Sequence, residues 1–355
     1  MIRLYGTAYL DLQNNREYIN TVKRNLTIYG VNNPVSRLCD FQHSEYYAEA
    51  ENLIAHEFVT EDACLFPNGY LAGMATKRVL TDIARIKKGT IITPETAHPC
   101  YSVDGRHLKT DHKVGIKLNY HKKIIIMSAI NSFYGEIDES YHLLNLKNIH
   151  VAALDVSHTA FIWDHNLISP YTNLIDNIIF FGSLSKAASY PAGFVAGPKD
   201  IIKKLREQPE FSTSCPPSIA HTVSFISSEN IRRKQLEKLN KVAEKFNNGM
   251  QLSRPINSGY LPIYNINSDN EKIYKLLLNN GFEASFMSYP FKESMKHLRV
   301  VLNAGLNVTL INKIIDLLID HQTDVSCFTR VKLFDVVFEQ PHTETVISST
   351  ISTFE

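Results

Sequence analysis

The sequence predicts an α/β protein, with a mostly parallel sheet between helices followed by a smaller α+β unit. Three observations carry that expectation. From about Asn52 to Asp200, short apolar runs rich in Ile, Val, Ala or Phe alternate with amphipathic stretches, the order that specifies a parallel sheet covered by helices. Past the Pro216-Pro217 break and a long polar helix, the stretch Tyr260 to His321 has a different composition and reads strand, helix, strand, strand, helix. Several of the apolar runs also end in chemically distinctive residues, at the position where open α/β sheets bind ligands.

The 355 residues, 44% hydrophobic and 21% charged, are enough for two such units. We divide them into an N-terminal segment (1–50), a large α/β unit (51–250), a small α+β unit (251–321) and a C-terminal extension (322–355). Strands are expected at Cys64 to Phe66, Thr90 to Thr93, Lys123 to Ala129, His150 to Asp155, Asn177 to Phe181 and Gly193 to Ala196. Between the first two, helical spacing runs from Leu71 to Ile86 and ends in lysines before Gly89, the polarity of a helix C-terminus. That places a strand-to-helix junction at Pro67, Asn68 and Gly69. The polar helix should span about Ser218 to Met250. In the extension, FTRVKLFDVVFE alternates as a strand or dimer arm would, before a Ser/Thr-rich end.

Composition removes several function classes. A net charge of +1 and a pI near 7.7 give no reason to expect nucleic acid or an acidic membrane surface as a partner. The five cysteines (Cys39, Cys64, Cys100, Cys215, Cys327) form no CxxC pair and no Cys/His ligand spacing, so neither a metal site nor a disulfide framework is expected. The opening MIRLYGTAYLDLQNNREY lacks a signal-peptide core, and no apolar run approaches the roughly 20 residues of a membrane helix. A cytoplasmic protein is the expectation. Neither GxGxxG nor GxxxxGK[ST] occurs, which weakens dinucleotide and P-loop readings.

Four strand ends hold the candidate chemistry. Asp155 closes HVAALD and His158 follows on the exit turn; Lys186 follows NIIFFGSLS; His98 lies in TPETAHPCYSVDG; Asn68, Gly69 and Tyr70 open the helix after Phe66. Taken singly, these read as a capping aspartate, a solvated loop lysine, a helix-start histidine and a tight turn. One cofactor explains them together. Pyridoxal 5'-phosphate requires an amine for a Schiff base, an anion beside its pyridine nitrogen, a group against the ring face and a phosphate cradle. Lys186, Asp155, His98 and the amides of Gly69 and Tyr70 at a helix N-terminus supply these in turn, and Ser183 and Ser185 add hydroxyls beside the lysine.

The order NGY, AHPCYSVDG, INSFYGE, DVSH, GSLSKAASYPAGFVAG, FSTSCPP and LRVVLNAG resembles the fold-type-I pyridoxal-phosphate enzymes, and within them the α-oxoamine synthases, from about Tyr9 to Leu318. YLDL, from Tyr9, is similar to that family's NDYLGL, with Thr7 and Asp11 where the motif has asparagine and glycine. The resemblance implies a large domain on a sheet of seven-stranded type and an acyltransferase that condenses an amino acid with an acyl-CoA or acyl-carrier thioester, in the manner of 8-amino-7-oxononanoate synthase. An aminotransferase of class I/II would use the same cofactor residues. The resemblance also implies that His158 hydrogen-bonds the cofactor's phenolic oxygen and that Ser132 and Ser183 lie near cofactor oxygens. Arg299 would grip the amino-acid carboxylate, and Ser212 and Thr213 would reach the phosphate of a neighbouring subunit in a homodimer with shared sites.

Overall fold

The computed structural model describes residues 1–355 except 33–34, 95–96, 103–121, 164–174, 176, 255–258, 267–269, 289–295, 322–324 and 327–355. Cys327 and the alternating run of the C-terminal extension lie outside the described residues.

The chain begins with strand β1 (Ile2–Leu4) and helices α1 (Arg16–Tyr29) and α2 (Ser44–Glu57). Strand β2 (Asp62–Phe66) then leads into helix α3 (Gly69–Lys87), followed by β3 (Thr90–Ile92), β4 (Lys123–Ser128), the short pair β5 (Ile130–Asn131) and β6 (Glu136–Ile137), β7 (Ile149–Asp155), β8 (Ile178–Ser183) and β9 (Gly193–Gly197). Four helices follow: α4 (Lys199–Arg206), α5 (Pro209–Ser212), α6 (Ile219–Ser227) and α7 (Glu229–Gly249). The remainder is β10 (Ile263–Ile266), α8 (Asn270–Asn279), β11 (Phe282–Ser288), β12 (Lys296–Val301), α9 (Val308–Asp320) and β13 (Val325–Ser326). Among the described residues, no helix is long and apolar enough to cross a membrane.

The large sheet has six strands among the described residues, in the order β2-β9-β8-β7-β4-β3. β3, β4, β7 and β8 are mutually parallel, and β9 runs antiparallel to both β8 and β2. β2 therefore points the same way as β8, and five carboxyl ends share one edge with the start of β9. Both faces are buried, which is why these strands read as continuous apolar runs. Ile124, Ile126, Ala153, Ile179, Phe181 and Val195 pack on one side against Ala72, Ala75, Val79 and Leu80 of α3. Ile125, Met127, Leu154, Phe180 and Phe194 pack on the other against Ala50 and Ile54 of α2 and Ile219 of α6.

A second sheet, β1-β11-β12-β10-β13, is antiparallel except for its first pair. Ile2–Leu4, grouped by the sequence with the N-terminal segment, pairs here with Phe282, Glu283 and Ala284. Leu4, Tyr264, Phe282, Leu298 and Val300 share a core with Phe246 of α7 and Ile311 and Ile314 of α9.

The polar helix expected from Ser218 to Met250 is two helices, broken at Ser228. The break has a tertiary cause. Arg232, buried against the Phe161 and Phe225 rings, donates through Nη1 to the Phe225 carbonyl and to Ser228 Oγ, capping the last turn of α6 with a side chain from α7. Burial pulls its guanidinium down to about 10. Arg232→Ala would remove the shortest donor to the Phe225 carbonyl, leaving it only the longer bonds from Ser228 N at 3.4 Å and Ser228 Oγ at 3.3 Å, and would empty the buried space beside two rings. The expected cost is about 2–3 kcal/mol of stability, read as a lower urea midpoint; an unchanged midpoint would refute this account of the break.

Candidate active site

The shared edge of the large sheet brings the site together. Register pairs Phe66 and Ser183 with Gly193, Asp155 with Phe181, and Ser128 with Asp155, so residues that follow these positions are neighbours. Helix α3 starts there. The Asn68 side chain accepts the Leu71 N–H at 2.9 Å, while the N–H groups of Gly69 and Tyr70 sit in the first turn, where a helix offers no acceptor of its own. A methyl on Gly69 would stand 2.6 Å from Ser183 Cβ, and one on Gly193 2.2 Å from the Asn68 carbonyl oxygen and 2.7 Å from Gly69 N. Only glycines allow this helix start to be pressed onto the ends of β8 and β9.

The lysine loop is equally tied down. Asp155 Oδ1 accepts the Ser157 N–H at 2.9 Å, and Ser157 Oγ accepts the Ser183 N–H at 2.9 Å, which joins the exit turn of β7 to the end of β8. Ser183 Oγ accepts the Ser185 N–H at 3.3 Å. Across the loop that carries Lys186, the Leu184 N–H reaches the Ala192 carbonyl and the Tyr190 N–H the Leu184 carbonyl, at 2.9 and 3.1 Å. The Tyr190 ring stacks on Phe225, and its hydroxyl pairs with Thr222 at 2.7 Å.

Lys186 is partly buried just past the end of β8, unlike a solvated loop lysine. Burial holds its amine below the usual lysine range, and the carboxylate of Asp155 opposes that fall. His98 is also lowered by burial, with Asp155 raising it and Lys186 lowering it. His158 lies well below its ordinary value, first through burial and then through the charges of Lys186, Arg299 and His98. These mutual effects place Lys186, Asp155, His98 and His158 in one electrostatic cluster.

Sequence reasoning placed Tyr9 in a motif and gave it no role. Its hydroxyl lies 2.8 Å from His158 Nδ1. Burial pushes the phenol upward, so it stays protonated; the O–H donates and Nδ1 accepts. His158 is thereby the neutral ring with its hydrogen on Nε2. The Tyr9 carbonyl accepts the Ala304 N–H at 2.9 Å, tying this motif to the loop after β12.

Arg299, on β12 opposite Asn265 and Ser285, donates through Nη1 to the Ser132 carbonyl at 3.1 Å, so these two predicted residues touch. Ser212 and Thr213 do not join the lysine cluster within one chain. Their hydroxyls donate to the carbonyls of Gln208 and Pro209 in the preceding turn, at 3.0 and 2.8 Å. The same segment meets Arg37, whose N–H donates to the Ser214 carbonyl at 3.1 Å and whose guanidinium pairs with buried Glu51.

No family model matches the chain. A putative 8-amino-7-oxononanoate synthase of Halalkalibacterium halodurans is 26% identical over 276 residues, 71% of this chain and 68% of that protein. The 8-amino-7-oxononanoate synthase 2 of Bacillus subtilis is 27% identical over 252 residues, 64% of this chain and 63% of its own. The chain is similar in sequence to proteins named 8-amino-7-oxononanoate synthase. Among solved structures, a serine palmitoyltransferase of Sphingomonas wittichii superposes with a TM-score of 0.69 at 17% identity, covering 89% of this chain and 86% of the other. An 8-amino-7-oxononanoate synthase from Francisella tularensis does so with a TM-score of 0.63 at 16% identity, covering 91% and 98%. These show the fold-type-I scaffold, and a serine palmitoyltransferase variant from S. paucimobilis on the same scaffold was solved with a bound PLP–myriocin aldimine.

The residues present in this chain fit that cofactor. They comprise a glycine-floored helix start for an anion, a partly buried amine held below the usual lysine range, and a carboxylate on the adjoining strand end. The histidines also set a pH dependence. His158 and His98 have folded values below 6.5, so the unfolded chain binds protons more readily, and their contribution to stability is complete above 6.5 and lost as pH falls through the folded values. Thermal unfolding should shift to lower temperature between pH about 7.5 and about 5.5, with a shallower fall in His158→Gln. A slope unchanged by that substitution would contradict the assignment.

Proposed function

We propose that the protein is a pyridoxal-phosphate-dependent α-oxoamine synthase: an amino acid and an acyl thioester yield an α-amino ketone, CO₂ and the free thiol, as in 8-amino-7-oxononanoate synthase. The observation that carries this reading is the convergence of Lys186, Asp155, His98 and His158 at the sheet edge beside the start of α3, in a chain whose curated relatives are named for that reaction.

Pyridoxal phosphate, when bound, supplies an electron sink for the α-carbon of the amino acid. Lys186 Nζ would be the attachment point, and an amine held below the usual lysine range is suited to take up and return the α-proton. Asp155 would hold positive charge at the pyridine nitrogen, and the first amides of α3, with Ser183 and Ser185, would receive the phosphate. His98 would cover one ring face, and His158, with Tyr9 on its Nδ1, would offer its Nε2 hydrogen to the phenolic oxygen. Arg299 supports the amino-acid carboxylate through its planar fork, with Ser132 as its neighbour in this role.

A homodimer belongs to the same proposal. Val31, Leu38 and Phe41 are exposed; Arg37, next to Leu38, donates to the Ser214 carbonyl, and Ser218 Oγ donates to the Val31 carbonyl. A second copy covering this apolar face would bring Ser212 and Thr213 near its own cofactor phosphate.

The test mixes the PLP-loaded protein with glycine, alanine or serine and a panel of acyl thioesters. Thiol release matched by an equal yield of a condensed amino ketone, identified by mass, is expected. Formation of pyridoxamine phosphate with a keto acid, and no condensed product, would overturn the reading and establish an aminotransferase.

A further inference from the structure

His98 is held by a residue that the proposed mechanism leaves unused. Its Nδ1 lies 3.3 Å from the backbone N of Cys100 and 3.0 Å from the Cys100 sulfur. A backbone N–H can only donate, so Nδ1 is the acceptor and the neutral ring carries its hydrogen on Nε2. The thiol is placed to donate to the same lone pair.

A cysteine this close to a histidine can instead be a nucleophilic pair, thiolate facing imidazolium. The surroundings favour the opposite proton distribution. Burial and the negative charge of Asp155 push the Cys100 thiol up to about 12, against weaker downward pulls from Lys186 and Lys77. Burial and Lys186 hold His98 down, Asp155 alone pulling it up; the nearby Tyr101 phenol is held protonated and His158 is held neutral. The pair is a neutral thiol against a neutral imidazole. The sulfur also has nowhere to go. It fills the space over Gly73 of α3, where an added methyl would stand 2.6 Å from Sγ and 3.5 Å from the Phe181 ring, and Cys100 is 5% exposed.

We propose that Cys100 is a positioning residue for His98: its thiol and backbone N–H together hold Nδ1 as an acceptor, fixing the ring's plane and its Nε2 hydrogen at the cofactor edge of the sheet. The benefit to the reaction rests on the proposed function, since an imidazolium stacked on a protonated pyridine ring would be repelled and a neutral ring is not. The proton arrangement itself is a property of the chain.

The experiment records ring-nitrogen spectra of the full chain labelled with ¹⁵N-histidine, His98 being assigned by its loss in His98→Gln. Wild type should show an unprotonated Nδ1 and a protonated Nε2 near neutral pH. Cys100→Ala should raise the His98 titration midpoint by about 0.7 unit, the equivalent of one ordinary hydrogen bond, and Cys100→Ser should restore it. A protonated Nδ1 in wild type, or an alanine variant that titrates as wild type, would overturn the proposal. Alkylation of Cys100 at neutral pH as fast as exposed Cys39 would overturn it in favour of the nucleophilic pair. Should the alanine variant fail to fold, the wild-type spectrum and the alkylation rates still decide. None of these readouts requires turnover, so they stand or fall separately from the assigned reaction.

Discussion

The site depends on one close approach. At the carboxyl edge of the large sheet, Gly193 meets the Asn68 carbonyl and Gly69 meets Ser183 at distances that leave no room for a methyl on either glycine. Interiors pack densely and transmit such a clash as a backbone shift. A side chain on either glycine would therefore push the start of α3 away from the end of β8, separating the amides of Gly69 and Tyr70 from the lysine loop. The reversed strand β9 makes the approach possible, because its first residue, and not its last, lies at the edge where the five other strands end.

On this frame sits a group of ionisable side chains that share one field. Burial lowers Lys186, His98 and His158 together, and Asp155 offsets the fall at Lys186 and His98. The hydrogen bonds follow the same pattern. Tyr9 and Cys100, both held protonated by burial, each face the Nδ1 of a histidine, which leaves both rings neutral with hydrogen on Nε2. An amine held below the usual lysine range beside two neutral rings is an environment fitted to covalent capture of an aldehyde.

The large sheet was legible in the sequence because both of its faces are buried, so Lys123–Ser128, Ile149–Asp155 and Ile178–Ser183 stand out as apolar runs with polar ends. Those polar ends carried the candidate site as well. What escaped was set by contacts distant in sequence. β1 is three residues long and becomes a strand only by pairing with Phe282–Ala284. The break at Ser228 needs the Arg232 side chain folded back onto Phe225. Tyr9 and His158 are 149 residues apart, and no local pattern announces their bond. Cys100 looked like one of several scattered thiols, since its meaning lies in its distance to His98 and in the missing side chain at Gly73.

The central claim is that Lys186 is the amine that holds pyridoxal phosphate. The most direct measurement is absorbance of the purified chain with added cofactor, followed by borohydride reduction and peptide mapping. The account predicts a yellow protein and a cofactor fixed to the peptide bearing Lys186, with both lost in Lys186→Ala. A colourless wild type, or a cofactor fixed to another lysine, would contradict it.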